Sequence, residues 1–139
     1  MIPRVTKREA ELKAEFGRVL AQRLPGFVSQ RLLDAGAPDR AIVGGGSTTF
    51  LEFKHGTPDF DSPGNQELAA MRLEAAGDCR YVIWRENANG SDKRTLIVRP
   101  RFLHYFRTTW ELRADETFAG FDHISVVEWL RKNHSLRKS

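Results

Sequence analysis

Thiols are nearly absent from this sequence of 139 residues, in which Cys79 is the only cysteine. A single thiol excludes an intramolecular disulfide framework and any zinc site built from several thiolates, and it suits a reducing compartment. Long apolar runs are also missing, because segments such as 81–84 and 96–98 fall far short of the roughly 18 residues that a membrane span requires. The N-terminal segment is charged and lacks the apolar region of a secretory signal. We therefore expect a soluble, cytoplasmic protein with no membrane partner.

Two common ligand-binding signatures are absent too. The four histidines are scattered, with neither a paired helical spacing nor a neighbouring cysteine, which argues against a transition-metal site. The glycine-rich segment 44–47 lacks the Gly-Lys-Ser/Thr ending of a phosphate-binding loop, so we interpret it as a hairpin turn. The sequence contains no internal repeat and no low-complexity segment.

The composition is that of one folded domain covering residues 1–139. With 40% hydrophobic and 29% charged residues the chain can fill a core, which excludes disorder. The formal net charge of +4 is unevenly distributed, since residues 41–92 carry −4 and residues 93–113 carry +5. Such an arrangement suits a phosphate-binding surface beside a site that holds cations.

Helical spacing of apolar residues predicts three helices. The first begins at a capping box formed by Thr6 and Glu9 and ends at Pro25-Gly26. Its apolar repeat consists of Leu12, Phe16, Val19, Leu20 and Leu24. The second is expected from Ser62-Pro63 to Gly77, because proline is pre-set for the first helical position. A third is predicted around 124–130, before a basic tail at 134–139.

Strands are predicted at 39–43 and 48–54, which pair as a hairpin, and at 80–85 and 94–98, which flank a turn-rich segment. Residues 27–33 are ambiguous between strand and helix, and residues 55–65 are expected to form a loop. The predicted order up to residue 98 is therefore helix, two or three strands, helix and two strands.

Charged side chains interrupt the second strand of the predicted hairpin. The period of two places Glu52 and Lys54 on one face, and the hairpin brings Asp39 close to Glu52. Two convergent carboxylates are suited to Mg²⁺ or Mn²⁺, which prefer oxygen ligands, and a neighbouring lysine could orient a water or offset charge on a phosphate. Without a cation the carboxylates would repel each other, and one would tend to hold a proton.

Each of these residues also has an ordinary structural interpretation. Alternating charges such as Glu52 and Lys54 usually mark the solvent face of an edge strand. Asp39, which follows a proline, could be only a turn residue, and Pro58-Asp59 repeats the same dipeptide in a predicted loop. The occurrence of Asp39, Glu52 and Lys54 in register favours the metal site.

An ordered set of motifs resembles the PD-(D/E)xK nuclease superfamily. Pro38-Asp39 is followed thirteen residues later by Glu52-Phe53-Lys54, and then by Gln66 at a helix start. The longer pattern is similar to the VRR-NUC branch of that superfamily, in its standalone form from viruses and bacteria, over roughly residues 8–98. The further matching residues are 36–43, Phe50, Leu51, His55, Ser62, Pro63, Leu73, Ala76, Gly77 and 81–83.

The resemblance implies an α/β fold with an αβββαβ core at about 6–98, a mixed central sheet flanked by helices, and a C-terminal extension at 99–139. It implies that Asp39 and Glu52 bind the metal with help from the Phe53 backbone carbonyl. Lys54 would act on the attacking water, and Gln66 would support the site. Relatives also carry a first-helix glutamate that reaches the metal. Glu9, Glu11 and Glu15 all lie in that helix; we favour Glu15, with Glu11 as the alternative.

The function that the resemblance implies is endonucleolytic cleavage of DNA that depends on Mg²⁺ or Mn²⁺. The substrate would be duplex DNA or, more specifically, branched DNA such as four-way junctions, and the active species would be a homodimer. The compartment would be the cytoplasm of a bacterium or a virus-infected host cell. Arginines interleaved with aromatic residues suit phosphate contacts. Those arginines are Arg94, Arg99, Arg101 and Arg107. The alternatives are a non-catalytic module that binds nucleic acid or protein, and a restriction-like or single-strand-specific nuclease.

Overall fold

Two long helices and six strands make up most of the residues that the computed structural model describes, which are 7–32, 38–56, 72–75, 77–102 and 111–138. In chain order these elements are α1 (Lys7–Arg23), β1 (Val28–Arg31), β2 (Arg40–Gly44), β3 (Ser47–Gly56), β4 (Cys79–Glu86), β5 (Lys93–Val98), β6 (Glu116–Ala119) and α2 (His123–Lys138). Shorter helical segments occur at 72–75, 111–113 and Pro100–Phe102. None of the helices in these ranges combines the length and apolar character that crossing a membrane requires.

The six strands form one mixed sheet in which spatial order follows chain order, from β1 at one edge to β6 at the other. Strands β3 and β4 run parallel, and every other neighbouring pair is antiparallel. A parallel pair needs a crossover connection, and the helical residues 72–75 belong to the segment of chain that connects β3 to β4. The Gly77 N–H donates to the Leu73 carbonyl at 2.9 Å, as expected for a helix ending at that glycine. The predicted α/β class with a mixed sheet and helices is confirmed.

The predicted hairpin between β2 and β3 is confirmed, and its turn explains the glycine-rich segment. Gly45 and Gly46 have φ values of 59° and 80°, and two consecutive positive φ values characterise the two-residue turns that match strand twist. The register then fixes Arg40 opposite Leu51, so the residue before β2 lies beside the part of β3 that carries Glu52 and Lys54.

Both faces of the sheet bury apolar side chains. Helices α1 and α2 pack on one face, where Phe16 of α1 and Leu130 of α2 share a core with Phe53 and Trp84 of the sheet. The other face is covered by shorter segments. There Leu73, Phe102 and Ala114 pack on a second cluster formed by Cys79, Tyr81, Ile83, Leu96 and Val98. The central part of β3, at Leu51, Glu52 and Phe53, is therefore buried on both faces.

The sequence interpretation was wrong at several places. Residues 134–138 do not form a tail, because α2 continues to Lys138 and His134 is buried. His55 is the penultimate residue of β3 rather than part of a loop. Strand β6 was not predicted, and its four residues are mostly exposed, so they carry little apolar signal. The ambiguous segment at 27–33 contains β1, an exposed edge strand.

Candidate active site

Asp39 is the residue before β2, and it lies beside β3, which extends past the Arg40–Leu51 pair. Its Oδ2 accepts a hydrogen bond of 2.8 Å from the Phe53 backbone N–H, which lies two residues beyond the Arg40–Leu51 pair. Its Oδ1 lies 3.1 Å from the Lys13 ammonium. The carboxylate therefore accepts the hydrogen bond that a backbone carbonyl of β2 would otherwise accept, and this bond holds it against β3. Asp39 is thus more than a turn residue.

Glu52 and Lys54 lie on an interior strand. β3 has β2 on one side and β4 on the other, and the Glu52 side chain is only 5% exposed. The Lys54 ammonium is 3.5 Å from Glu52 Oε1. The interpretation of these two residues as the solvent face of an edge strand is therefore wrong. An ionised carboxylate inside a sheet is costly unless it is paired or coordinates a cation.

The ionisation of Glu52 reflects this environment. Burial, and secondly the charge of Asp39, raise its pKa from an ordinary 4.5 to about 7, while Lys54 and Lys13 act in the opposite direction. Burial disfavours the charged form of an acid, and a second carboxylate nearby does the same. The charge of Asp39 is thus close enough to oppose the ionisation of Glu52, as the sequence predicted for two convergent carboxylates.

Glu9 is the first-helix glutamate that faces this cluster. It is buried, burial raises its pKa, and Lys13, Lys54, Asp39 and His55 are the charged groups that act on it. Because Glu9 and Lys13 are four residues apart, they lie on one face of α1. Glu9 extends the apolar stripe of α1 by one turn, at three residues before a buried leucine. A charge in an otherwise apolar stripe was the sequence signal that could have identified it.

The choice of Glu15, with Glu11 as the alternative, is not supported by the geometry. Glu15 Oε2 lies 3.1 Å from His123 Nε2 of α2, and Glu11 lies 3.4 Å from the exposed Arg8. Both glutamates are rotated away from the face of α1 that carries Glu9 and Lys13. Spacing along the helix could not show which face of α1 meets the end of β3.

Two further residues at the site were not singled out from the sequence as functional. Lys13 balances Asp39, as described above. His55, at the end of β3, lies with its Nε2 2.6 Å from Glu86 Oε1 of β4, and its ring meets Phe121 edge-on. Lys13 therefore compensates the charge of Asp39, while His55 contacts Glu86 beside the end of β3.

The arginines predicted to contact phosphate are already paired. Arg94 lies within 3.2 Å of both Asp92 and Glu111. Arg99 and Arg101 both approach Glu74, and Arg99 also lies 3.5 Å from Asp115. Each of these three arginines therefore has carboxylate partners in the folded protein, and their contact with phosphate remains a prediction. Arg107 lies outside the described residues, as does Gln66, and both remain predictions.

The donor set at Asp39 and Glu52 fits a hard divalent cation. Both supply carboxylate oxygens, and the Phe53 carbonyl points to the same edge of β3 as its N–H, which is bound to Asp39. Among the described residues no three His, Cys, Asp or Glu side chains are grouped closely enough to form a metal site by themselves. A centre with two carboxylates and one carbonyl suits Mg²⁺ or Mn²⁺, because Mg²⁺ keeps several waters.

Comparison of the chain with models of protein families, and with curated protein sequences, gives no match.

Proposed function

We propose that this chain is a metal-dependent hydrolase of nucleic-acid phosphodiester bonds. The observation that carries the proposal is the convergence of Asp39, Glu52 and Lys54 beside one stretch of β3. Asp39 is bonded to the backbone of Phe53, and the ammonium of Lys54 lies 3.5 Å from Glu52. The buried Glu52 beside the partly exposed Asp39 is costly as a purely structural device even with Lys13 and Lys54 close by, whereas a divalent cation would stabilise the ionised form of Glu52.

Within that class we propose the PD-(D/E)xK superfamily, and its VRR-NUC branch in particular. The sequence pattern supports this assignment. It is also supported by the order of the elements, a helix, three antiparallel strands, a helical segment and a fourth strand parallel to the third. Gln66 at the start of the second predicted helix belongs to the same proposal.

The roles of the protein's residues follow from their charges and positions. Asp39 and Glu52 would hold a divalent ion with the Phe53 carbonyl, and Glu9 would face the same group from α1. A bound Mg²⁺ supplies Lewis-acid polarisation of the phosphate and lowers the pKa of a water. Lys54 would orient the attacking water and offset charge that develops on the phosphate oxygens. Lys13 would keep Asp39 in place.

The substrate we propose is DNA, more specifically branched DNA such as a four-way junction. This part rests on the resemblance to the VRR-NUC branch. Resolution of a junction requires two opposed cuts, and the described part of one chain carries one such cluster, so the active species would be a homodimer.

Cleavage assays with Mg²⁺ or EDTA test the proposal on linear duplex, flap and four-way-junction DNA. We expect cleavage only with the divalent ion and fastest on the junction. Lys54→Ala and Asp39→Ala should each reduce kcat/KM by about 10²-fold or more, because Lys54 would act on the attacking water and the phosphate, and Asp39 would hold the divalent ion. Glu52→Gln should have a comparable effect.

Matched variants control for the loss of a charged side chain at an exposed position. Lys132→Ala removes an exposed lysine of α2, and Glu116→Gln neutralises an exposed glutamate of β6; both should cleave as the parent does. Glu9→Gln should reduce activity more than Glu15→Gln, in line with the geometry of α1. If Lys54→Ala cuts as fast as Lys132→Ala, the mechanism is wrong.

A second candidate function is a non-catalytic module that binds nucleic acid. The observation in its favour is that each carboxylate already has a lysine partner, Lys13 for Asp39 and Lys54 for Glu52. Such a module should bind DNA equally well with Mg²⁺ and with EDTA, show no cleavage of any substrate, and be insensitive to Glu52→Gln. A preference for single strands or for linear duplex would instead indicate another nuclease of the same superfamily.

A further inference from the structure

A surface cavity of about 360 Å³ lies between α1 and the first two strands, directly beside Asp39. Its walls are formed by Ala10, Lys13, Ala14, Arg31, Asp39 and Arg40. Three of these side chains are cationic and one is a carboxylate. The cavity is therefore positively charged on balance, although it adjoins the acidic cluster of the candidate active site.

The two arginines of the cavity face each other across neighbouring strands. Arg31 of β1 is the register partner of Arg40 of β2 in the antiparallel ladder, so their side chains leave the sheet on the same face. Like charges directly opposite each other are destabilising in such a pair. Within the described residues neither guanidinium has a carboxylate at ion-pair distance, in contrast to Arg94, Arg99 and Arg101. An anion bound between the two guanidinium groups would offset this repulsion.

Helix α1 leaves room for that anion. Ala10 and Ala14 are four residues apart and present only methyl groups to the cavity. Lys13, which lies between them in the sequence, also lines it. The Lys13 ammonium is 3.1 Å from Asp39 Oδ1, so it stands at the border between the cavity and the candidate active site. An anion bound by the arginines would thus lie next to the residues proposed to act on a phosphodiester bond.

We propose that this cavity binds a backbone phosphate of the nucleic-acid strand, adjacent to the phosphate that is hydrolysed at Asp39 and Glu52. The proposal rests on the proposed function for the identity of the neighbouring phosphate. Guanidinium groups bind phosphate oxygens through paired N–H donors, and two opposed arginines with one lysine surround a single phosphate. Such a contact positions the strand and carries no base preference.

Binding of a fluorescently labelled duplex of about 20 base pairs, measured by anisotropy in EDTA over a range of salt concentrations, tests the proposal separately from cleavage. The double variant Arg31→Gln/Arg40→Gln should bind about tenfold more weakly. The slope of log affinity against log salt should fall by about one, which corresponds to the loss of one phosphate contact.

The charge-matched control is Arg18→Gln/Arg23→Gln, which removes two exposed arginines of α1 that do not line the cavity. It should change affinity by no more than about threefold, as a general effect of net charge. Equal losses of affinity in the two double variants would overturn the proposal, because they would show that only total charge matters.

Thermal unfolding with inorganic phosphate supplies a second readout. Phosphate should raise the Tm of the parent protein more than that of the Arg31→Gln/Arg40→Gln variant, since only the parent retains the site. Without phosphate, that variant should unfold at the same or a higher temperature, because a like-charge pair is removed. Stabilisation by phosphate together with unchanged DNA affinity would mark a site for free anions and would overturn the assignment to nucleic acid.

The two proposals can fail independently. If the Arg31→Gln/Arg40→Gln variant loses DNA affinity but no substrate is cleaved, the cavity remains a phosphate site and the hydrolytic function is wrong. If Lys54→Ala abolishes cleavage while both double variants bind DNA like the parent, the hydrolytic function remains and the role of the cavity is wrong.

Discussion

Glu52 shows at the scale of a single residue how burial outweighs a nearby countercharge. Lys54 lies 3.5 Å away and Lys13 also acts on it, yet burial and Asp39 together still raise the Glu52 pKa to about 7. Both lysines favour the ionised carboxylate, but neither replaces the water that an exposed carboxylate would keep. In the absence of a cation the folded protein therefore holds a proton here at a pH where the unfolded chain does not.

This difference makes the stability of the metal-free protein depend on pH. Because the folded pKa of Glu52 is raised to about 7 from an ordinary 4.5, the folded state binds more protons between these values. Its contribution to stability is fully present below about pH 4.5 and is lost as the pH rises through 7. Glu52→Gln keeps the neutral form at every pH, so it should stabilise the protein at pH 8 by on the order of 3 kcal/mol, and much less at pH 5.

Urea unfolding in EDTA at the two pH values measures this effect, with the exposed Glu116→Gln as the control, for which we expect no pH-dependent difference. An advantage of Glu52→Gln at pH 8 that is no larger than at pH 5 would contradict the assignment of burial as the dominant cause. The same variant is expected to lose cleavage activity, so stability and activity should change in opposite directions at this residue.

At the scale of an element, α2 is held against the sheet by hydrogen bonds as well as by its apolar face. The His134 ring is buried, and its Nδ1 donates to the Gly44 carbonyl at 2.7 Å, since a carbonyl oxygen only accepts. Its Nε2 lies 2.8 Å from Thr49 Oγ1, which donates to Asp78 at 2.9 Å. One turn of α2 is thus joined to the β2–β3 hairpin and to the residue before β4.

His134→Ala should destabilise the protein by about 3 kcal/mol, because it leaves a cavity and removes the partner of the Gly44 carbonyl. Urea unfolding should show a lower midpoint with an unchanged slope, and Ser135→Ala, which changes an exposed neighbour, should have no effect. A double-mutant cycle with Thr49→Val should give a coupling energy of roughly 0.5 kcal/mol or more, since the two side chains share one hydrogen bond. Strict additivity of the two variants would show that the network is not cooperative.

At the scale of the whole molecule, several of the described residues beyond 98 belong to the core. Val126, Val127 and Leu130 of α2 are fully buried against α1 and the sheet, and β6 pairs with β5. Burying three such side chains contributes roughly 5 kcal/mol or more, which is comparable to the total stability of a small domain. The predicted boundary between a core ending near 98 and an extension therefore does not divide the molecule into independent parts.

A chain that ends at residue 98 should consequently fail to fold. We expect circular dichroism of this truncated chain to show no cooperative unfolding transition, because one face of the sheet would lose α2. A chain shortened only by residues 137–139 should unfold cooperatively, as the full chain does, since the buried residues of α2 are retained. A cooperative transition in the chain ending at 98 would show that α1 and the sheet are stable by themselves.

The sequence by itself determined α1, the hairpin of β2 and β3, and the grouping of three charged residues beside that hairpin. The apolar repeat of α1, the glycine turn between β2 and β3, and the charged alternation at Glu52 and Lys54 are local patterns, and a tight hairpin fixes the register across it. Asp39, Glu52 and Lys54 could be brought together from the sequence because the turn that joins their strands is short.

Only the tertiary structure decided which other side chains meet that cluster. The choice of Glu9 over Glu15 depends on how α1 is rotated against the sheet, and periodicity gives the faces of a helix without saying what each face meets. The opposition of Arg31 and Arg40 depends on the register of an exposed edge strand that has no apolar alternation to reveal it. The pairing of Arg94 with Glu111 and the burial of His134 are likewise contacts between residues distant in the chain, and sequence spacing carries no information about them.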